Sequence, residues 1–244
     1  MSNLIREDMK MEEKNAFIEV LEKIGEKRER IGALEQKIHY FCQVREPEAA
    51  YKMSFRLEDT AEKLVLLARV LPAYTGSPAA AWEVEKIMKE NIPVEIGFTE
   101  EGWFSLRIPM LLPKKRAGST KYLTDFLYPA MRGFFAEKEP VRYRDCVLIF
   151  RHVYDRKRPE RRKRDHDNIE TKTVTDVVAL YVMADDSPDV CSNYECSAVG
   201  DVERTEVYVV PAKDFTTWFL KKDTMPEEGV KLYDSLAQNE KNDM

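Results

Sequence analysis

The sequence predicts an α+β fold, a mixed β-sheet with flanking helices preceded by an N-terminal helical hairpin. Three observations carry this. Apolar residues recur every seven positions between Phe17 and Phe41, the signature of a long amphipathic helix. From about residue 92 the pattern changes to short β-branched and aromatic runs, as strands require. Finally, the strongest of these runs, "CVLIFRHVY" at 146–154, is followed by a helical face before two more strands. At 244 residues the chain is long enough to bury a substantial core.

Taken in order, Phe17, Ile24, Ile31 and Ile38 form one row of the first helix, and Val20, Leu34 and Phe41 form a second, interrupted by Lys27. A second helix over about 55–71 places Leu57, Ala61, Leu64, Ala68 and Leu71 on one face, and the link containing Pro47 lets the two fold back on each other. Packing within the chain is favoured over a coiled-coil dimer seam, because three to four heptads is the minimum for such a seam. "LPAYTGSP", 71–78, is a break before a short helix ending near Asn91. "IPVEIGF" (92–98) and "WFSLRIP" (103–109) flank "TEEG" and read as a β-hairpin. "LLPKKRAGS", 111–119, is a basic loop, followed by a helix over about 121–135 with Pro129 near a kink. Beyond "CVLIFRHVY", Val174, Val177, Val178 and Tyr181 mark one helical face, with Asp167 suited to its N-cap and Glu170 to a capping box. Strands over about 190–199 and 204–210 precede a terminal helical region containing Trp218 and Phe219. The expected division is a helical hairpin extension (1–90), an α+β domain (91–212) and a C-terminal helical tail (213–244).

A formal net charge of −5 argues against a general nucleic-acid coat protein, yet the charge is unevenly spread. Seven Lys or Arg residues occupy the nine positions 156–164, which makes whole-chain charge a poor guide. No apolar stretch approaches the roughly 18 residues that cross a bilayer, and the N-terminus lacks a signal-peptide hydrophobic region. The expectation is a cytoplasmic protein with no membrane partner. Cys42, Cys146, Cys191 and Cys196 are spread along the chain and read as reduced thiols, Cys146 within a strand.

The basic run leads directly into "RDHDNIE", 164–170. In an extended segment residues i and i+2 point to one side, so Asp165 and Asp167 would present both carboxylates to a single ion. Magnesium suits such hard oxygen donors together with a phosphate. Eighteen residues after Asp167 comes "ADDSPDV", whose Asp185 or Asp186 would close the cluster. Here the chain resembles the RusA-type Holliday junction resolvases, small bacterial and phage nucleases often carried on mobile elements. Their signature is a strand, a basic stretch, D-x-D-N opening a helix, and a D-D pair entering the next strand. The residues that carry the likeness are "CVLIFRHVY", "RKRPERRKR", "DHDN" at 165–168 and Asp185–Asp186. It covers about residues 100–212.

The resemblance implies a RusA-like sheet and a Mg²⁺-dependent endonuclease, a homodimer, that cuts branched DNA in recombination. It makes Asp165, Asp167 and Asp186 the acidic ligands, with Asp185 and Glu170 beside them. The phosphate-gripping set is Lys114, Lys115, Arg116, Arg156, Lys157, Arg158, Arg161, Arg162, Lys163 and Arg164. Two positions depart from the family. Its catalytic lysine falls at Thr171 here, with Lys172 one residue further and about 100° round the helix, and its asparagine-containing loop is replaced by "IPMLLPKKRAG". A helix from 168 to about 181 would also run roughly 20 Å, so closing the triad calls for a short helix, an oblique crossing or a second protomer. The alternative is a RusA-like module without turnover, binding DNA or serving as an adaptor. His166 reads as an exposed loop residue, Lys172 and Asp176 as a surface i, i+4 pair, and Trp103, Phe104 and Tyr143 as core rather than base-stacking groups.

Overall fold

The computed structural model describes residues 2–77, 79–115, 119–138, 141–157 and 163–235. The chain forms two compact units, Met1–Lys86 and Ile87–Met244.

In the first unit, helices α1 (Ser2–Gln43) and α2 (Pro47–Val70) pack along each other. Val20 and Leu34 are buried, and Phe17, Ile24, Ile31, Ile38 and Phe41 are half-buried. Both heptad rows therefore face inward. The turn between the helices has a specific cause: Arg45 takes a left-handed conformation (φ 59°), its N–H bonds Cys42 O, and the Glu46 N–H bonds Phe41 O. This is a Schellman closure. Pro47 then opens α2 at a position where a missing N–H costs nothing. α2 begins about eight residues earlier than periodicity alone predicts, at Pro47.

Helix α3 (Ala80–Asn91) leads into the second unit, whose five-stranded sheet has the order β1-β2-β5-β3-β4. The strands are β1 (Glu95–Phe98), β2 (Phe104–Ile108), β3 (Cys146–Asp155), β4 (Cys191–Gly200) and β5 (Arg204–Pro211). β1/β2, β2/β5 and β5/β3 pair antiparallel, and β3/β4 pair parallel, so the sheet is mixed and the fold α+β. Helix α5 (Lys172–Val182) is the crossover between the parallel strands, and α4 (Ser119–Phe135), with Pro129 inside it, packs beside α5. On one sheet face Phe104 meets Phe135, which stacks in turn on Tyr181. The other face is covered by α6 (Phe215–Lys221) and the segment after it: Trp103, Val147, Ile149, Tyr208, Val210 and Trp218 form its buried cluster, with Met225 and Val230 against it. The segment after β5 is thus part of this unit's core. Trp103 and Phe104 are buried, as the core reading expects. Among the described residues no helix is long and apolar enough to cross a membrane.

That second face also holds an ion cluster. Glu206 on β5 is fully buried; it accepts from Arg151 (2.8 Å), Arg204 (2.6 Å) and the Tyr208 hydroxyl (2.9 Å). Burial pushes the Glu206 carboxyl up, but the two guanidiniums outweigh it and hold it below the usual glutamate range. Because that pKa is lowered by folding, the stabilisation is present above the unfolded-state value and is lost as pH falls through the folded one. Glu206→Gln should leave two buried guanidiniums without a counter-charge and cost about 3 kcal/mol, read as a lower urea midpoint at neutral pH.

Candidate functional site

The D-x-D-N segment is shaped by one tight turn. Asp165 is extended (φ −66°, ψ 135°), His166–Asn168 form a 3-10 turn, and Ile169 is extended again. Alternation along an extended strand therefore does not govern Asp165 and Asp167. The helix that follows starts later than expected, at Lys172, with Thr171 in the N-cap position. Asp167 is not its cap. The capping acceptor is Glu170, whose carboxylate takes the Thr173 N–H (3.3 Å) and hydroxyl (3.0 Å). The cause is a competing set of bonds: Lys115 N–H donates to Asn168 O, Glu170 N–H donates to Pro113 O, and Lys114 bridges Ile169. The Lys115 ammonium adds a bond to Asp167 O (2.8 Å). The basic 111–115 loop is thereby stitched to the D-x-D-N turn, more than fifty positions away in sequence.

The cations divide into spent and available. Arg164 donates to Leu112 O and its N–H bonds the Tyr154 hydroxyl, so it is a strut between the two loops. Arg156 pairs with Asp201 and Glu227. Lys157 is exposed, its backbone N–H held by Asp155. Lys114 and Lys163 make no ion pair with another described residue. Arg116, Arg158, Arg161 and Arg162 lie outside the described residues.

The acids lie on either side of α5: Asp165, Asp167 and Glu170 precede its start, and Asp185 and Asp186 follow its end. Eleven helical residues span about 16 Å. Asp185 turns back on the local backbone, accepting from the Asp186 N–H (2.9 Å). Lys172 pairs with Asp176 (2.8 Å), which raises its pKa most, and Asp186 and Glu170 add smaller contributions. Asp186 is thus within electrostatic reach of Lys172. Yet among the described residues no group of three or more His, Cys, Asp or Glu side chains stands ready to hold a metal ion. The acids implied as magnesium ligands do not fit that ion as they lie.

Sequence reasoning missed a different convergence. His166 is not a free loop residue: its Nε2 lies 3.0 Å from the Ser197 hydroxyl, its Nδ1 3.9 Å from Glu195 Oε2, and its ring 5.5 Å from that of His152. His152 on β3 is fully buried, with Nε2 4.0 Å from the same Glu195 oxygen. The signal was a polar residue inside an apolar strand, "FRHVY". It was invisible as a site because its partners come from the 3-10 turn and from β4. Burial above all, then His166 and Arg164, pulls the His152 pKa down to about 4.

That depression has a sign. Between about pH 6.5 and 4 the unfolded chain binds a proton at His152 that the folded chain refuses, so stability rises with pH across this window. Urea unfolding from pH 7 to pH 4 should show a loss of up to about 3 kcal/mol from this group, and His152→Gln should flatten that part of the slope.

No curated protein and no solved structure matches the chain. One family model does, over residues 12–236, and its description is a family of unknown function, DUF6100. With that match spanning nearly the whole sequence, the chain belongs to the DUF6100 family.

Proposed function

We propose that the second unit is a RusA-like module that binds the phosphate backbone of DNA, branched or duplex, without retaining turnover. The observation that carries this reading is the stitching of the Leu111–Lys115 loop to Asp167–Glu170 and, through Arg164, to the end of the basic run, which brings Lys114 and Lys115 beside the segment where that run ends. Backbone phosphates are recognised by such clustered cations without any sequence reading. A D-x-D-N turn leading into the crossover helix of a mixed sheet supports the likeness to RusA. A homodimer, as in that family, would present two such basic edges to a branched substrate. Thr171 at the lysine position and the ungathered acids support loss of cutting.

A second reading has one observation in its favour. Asp186 acts electrostatically on Lys172, and an acid from a second subunit in place of the one beyond α5 would complete a Mg²⁺-dependent endonuclease. One experiment separates the two. With a labelled four-way junction and a linear duplex, fluorescence anisotropy should show binding that weakens steeply with salt, and gel analysis with Mg²⁺ should show intact substrate. Replacing Lys114, Lys157 and Lys163 together by Gln should cut affinity about tenfold or more and reduce the salt slope by about one for each phosphate no longer neutralised. Cleavage abolished by Asp167→Asn would favour the nuclease. Absence of salt-sensitive binding to either DNA would leave an adaptor role instead.

A further inference from the structure

We propose that the outer edge of β4 is the seam at which a second copy of this chain joins the sheet, pairing β4 with β4 antiparallel about Cys196. The two edges of the sheet differ. β1, at one end of the order, has four residues, and Tyr233 closes it by exchanging two backbone bonds with Phe98 (2.8 Å each). β4, at the other end, runs ten residues with β3 as its only neighbouring strand. Its register with β3 is unbroken by a bulge, it carries no Lys, Arg or Pro, and Glu195 is its single charged residue. Long, unbulged and nearly uncharged, it is the kind of edge that pairs with another strand.

The backbone pattern decides which groups face outward. The Cys146 N–H bonds Val190 O and the Arg156 N–H bonds Gly200 O, so the even-numbered residues of β4 turn their backbone groups toward β3, and Asn193, Glu195, Ser197 and Val199 turn theirs away. Among the described residues no other segment's backbone bonds them. A twofold axis through Cys196, normal to the sheet, sets Asn193 against Val199 and Glu195 against Ser197. Every one of these outward N–H and C=O groups then finds a partner in the other copy. An axis at Glu195 would instead oppose two carboxylates and bring in Cys191, whose N–H is already given to Ser187 O (2.9 Å). The strand is therefore complementary to itself in one register, which is what a symmetric pair requires and an unrelated strand would not share. Side chains agree with that register. On the face covered by α6, Tyr194 falls opposite Ala198, large against small, and Tyr194, packed on the buried cluster and 6.0 Å from the exposed Phe219 ring, would continue the apolar layer across the seam. This pairing gives the homodimer named above a surface, yet it rests on the strand alone and not on DNA binding.

The test needs no DNA. Sedimentation velocity of the full chain at tens of micromolar should give twice the mass of one chain. Asn193→Lys/Val199→Lys, at two exposed positions, should weaken self-association about tenfold or more by setting lysine against lysine. Register is read by cysteine pairs in a Cys42→Ser/Cys196→Ser background, which removes the exposed thiol and the one on the axis. Asn193→Cys/Val199→Cys should form a disulfide-linked dimer under mild oxidation, since the opposed residues of a hydrogen-bonded pair lie about 5.5 Å apart at Cα. Either cysteine alone should not link, its twin lying ~20 Å away along the strand. Circular dichroism checks that each variant folds. A monomer throughout, a dimer indifferent to the lysines, or linkage by the single cysteines as readily as by the pair would overturn the proposal.

Discussion

The parallel pairing of β3 with β4 is the constraint on which the second unit's chemistry depends. Parallel neighbours cannot be joined by a hairpin turn, so the chain must leave the sheet after Asp155 and re-enter it at Cys191. Nearly every chemically marked feature lies in that excursion: the basic run, the D-x-D-N turn, α5 and the Asp185–Asp186 pair. The crossover helix leaves the two acidic groups at its two ends. What brings polar groups together instead is the register of the two strands, which sets His152 beside Ser197 and lets the 3-10 turn settle on them. One pairing decision thus separates the carboxylates and assembles the imidazoles.

Charge is divided between burial and exposure by side-chain geometry. The guanidinium offers several donors in a fixed plane, and this unit uses arginine wherever several acceptors must be met at once. Arg151 bonds both Glu206 and Lys222 O, and Arg164 ties the two loops through Leu112. Lysine, a single charge on a flexible stem, is what remains exposed at Lys157 and Lys163. Among the described residues of the two basic stretches, the cations left without an ion pair are therefore lysines.

Much of the fold was legible in the sequence. The two heptad rows of α1, the hairpin, β3 and the last two strands all follow from periodicity, because burial of one face or both dictates residue type directly. The start of α5 did not follow, since the backbone of residues 165–170 is claimed by a loop more than fifty positions away, and capping rules see only neighbours. The same limit hid the site around His152. Its four members come from three elements, and no spacing rule links 152, 166, 195 and 197. The buried Glu206 cluster was equally hidden: in sequence Arg204 and Glu206 look like ordinary surface residues of a half-exposed strand.

Thr171, where the resemblance to RusA-type resolvases implies a lysine, takes on a physical meaning at the helix start. Position 171 is the N-cap, outside the helix proper, while Lys172 occupies the first helical position and extends along the exposed side to Asp176. An exposed i, i+4 pair of this kind draws the ammonium along the helix toward Asp176. Cationic support from the helix side is therefore diverted, and the groups that face His166 belong to the sheet: an imidazole, a carboxylate and a hydroxyl. The polar surroundings of this turn therefore come from β3 and β4 rather than from α5.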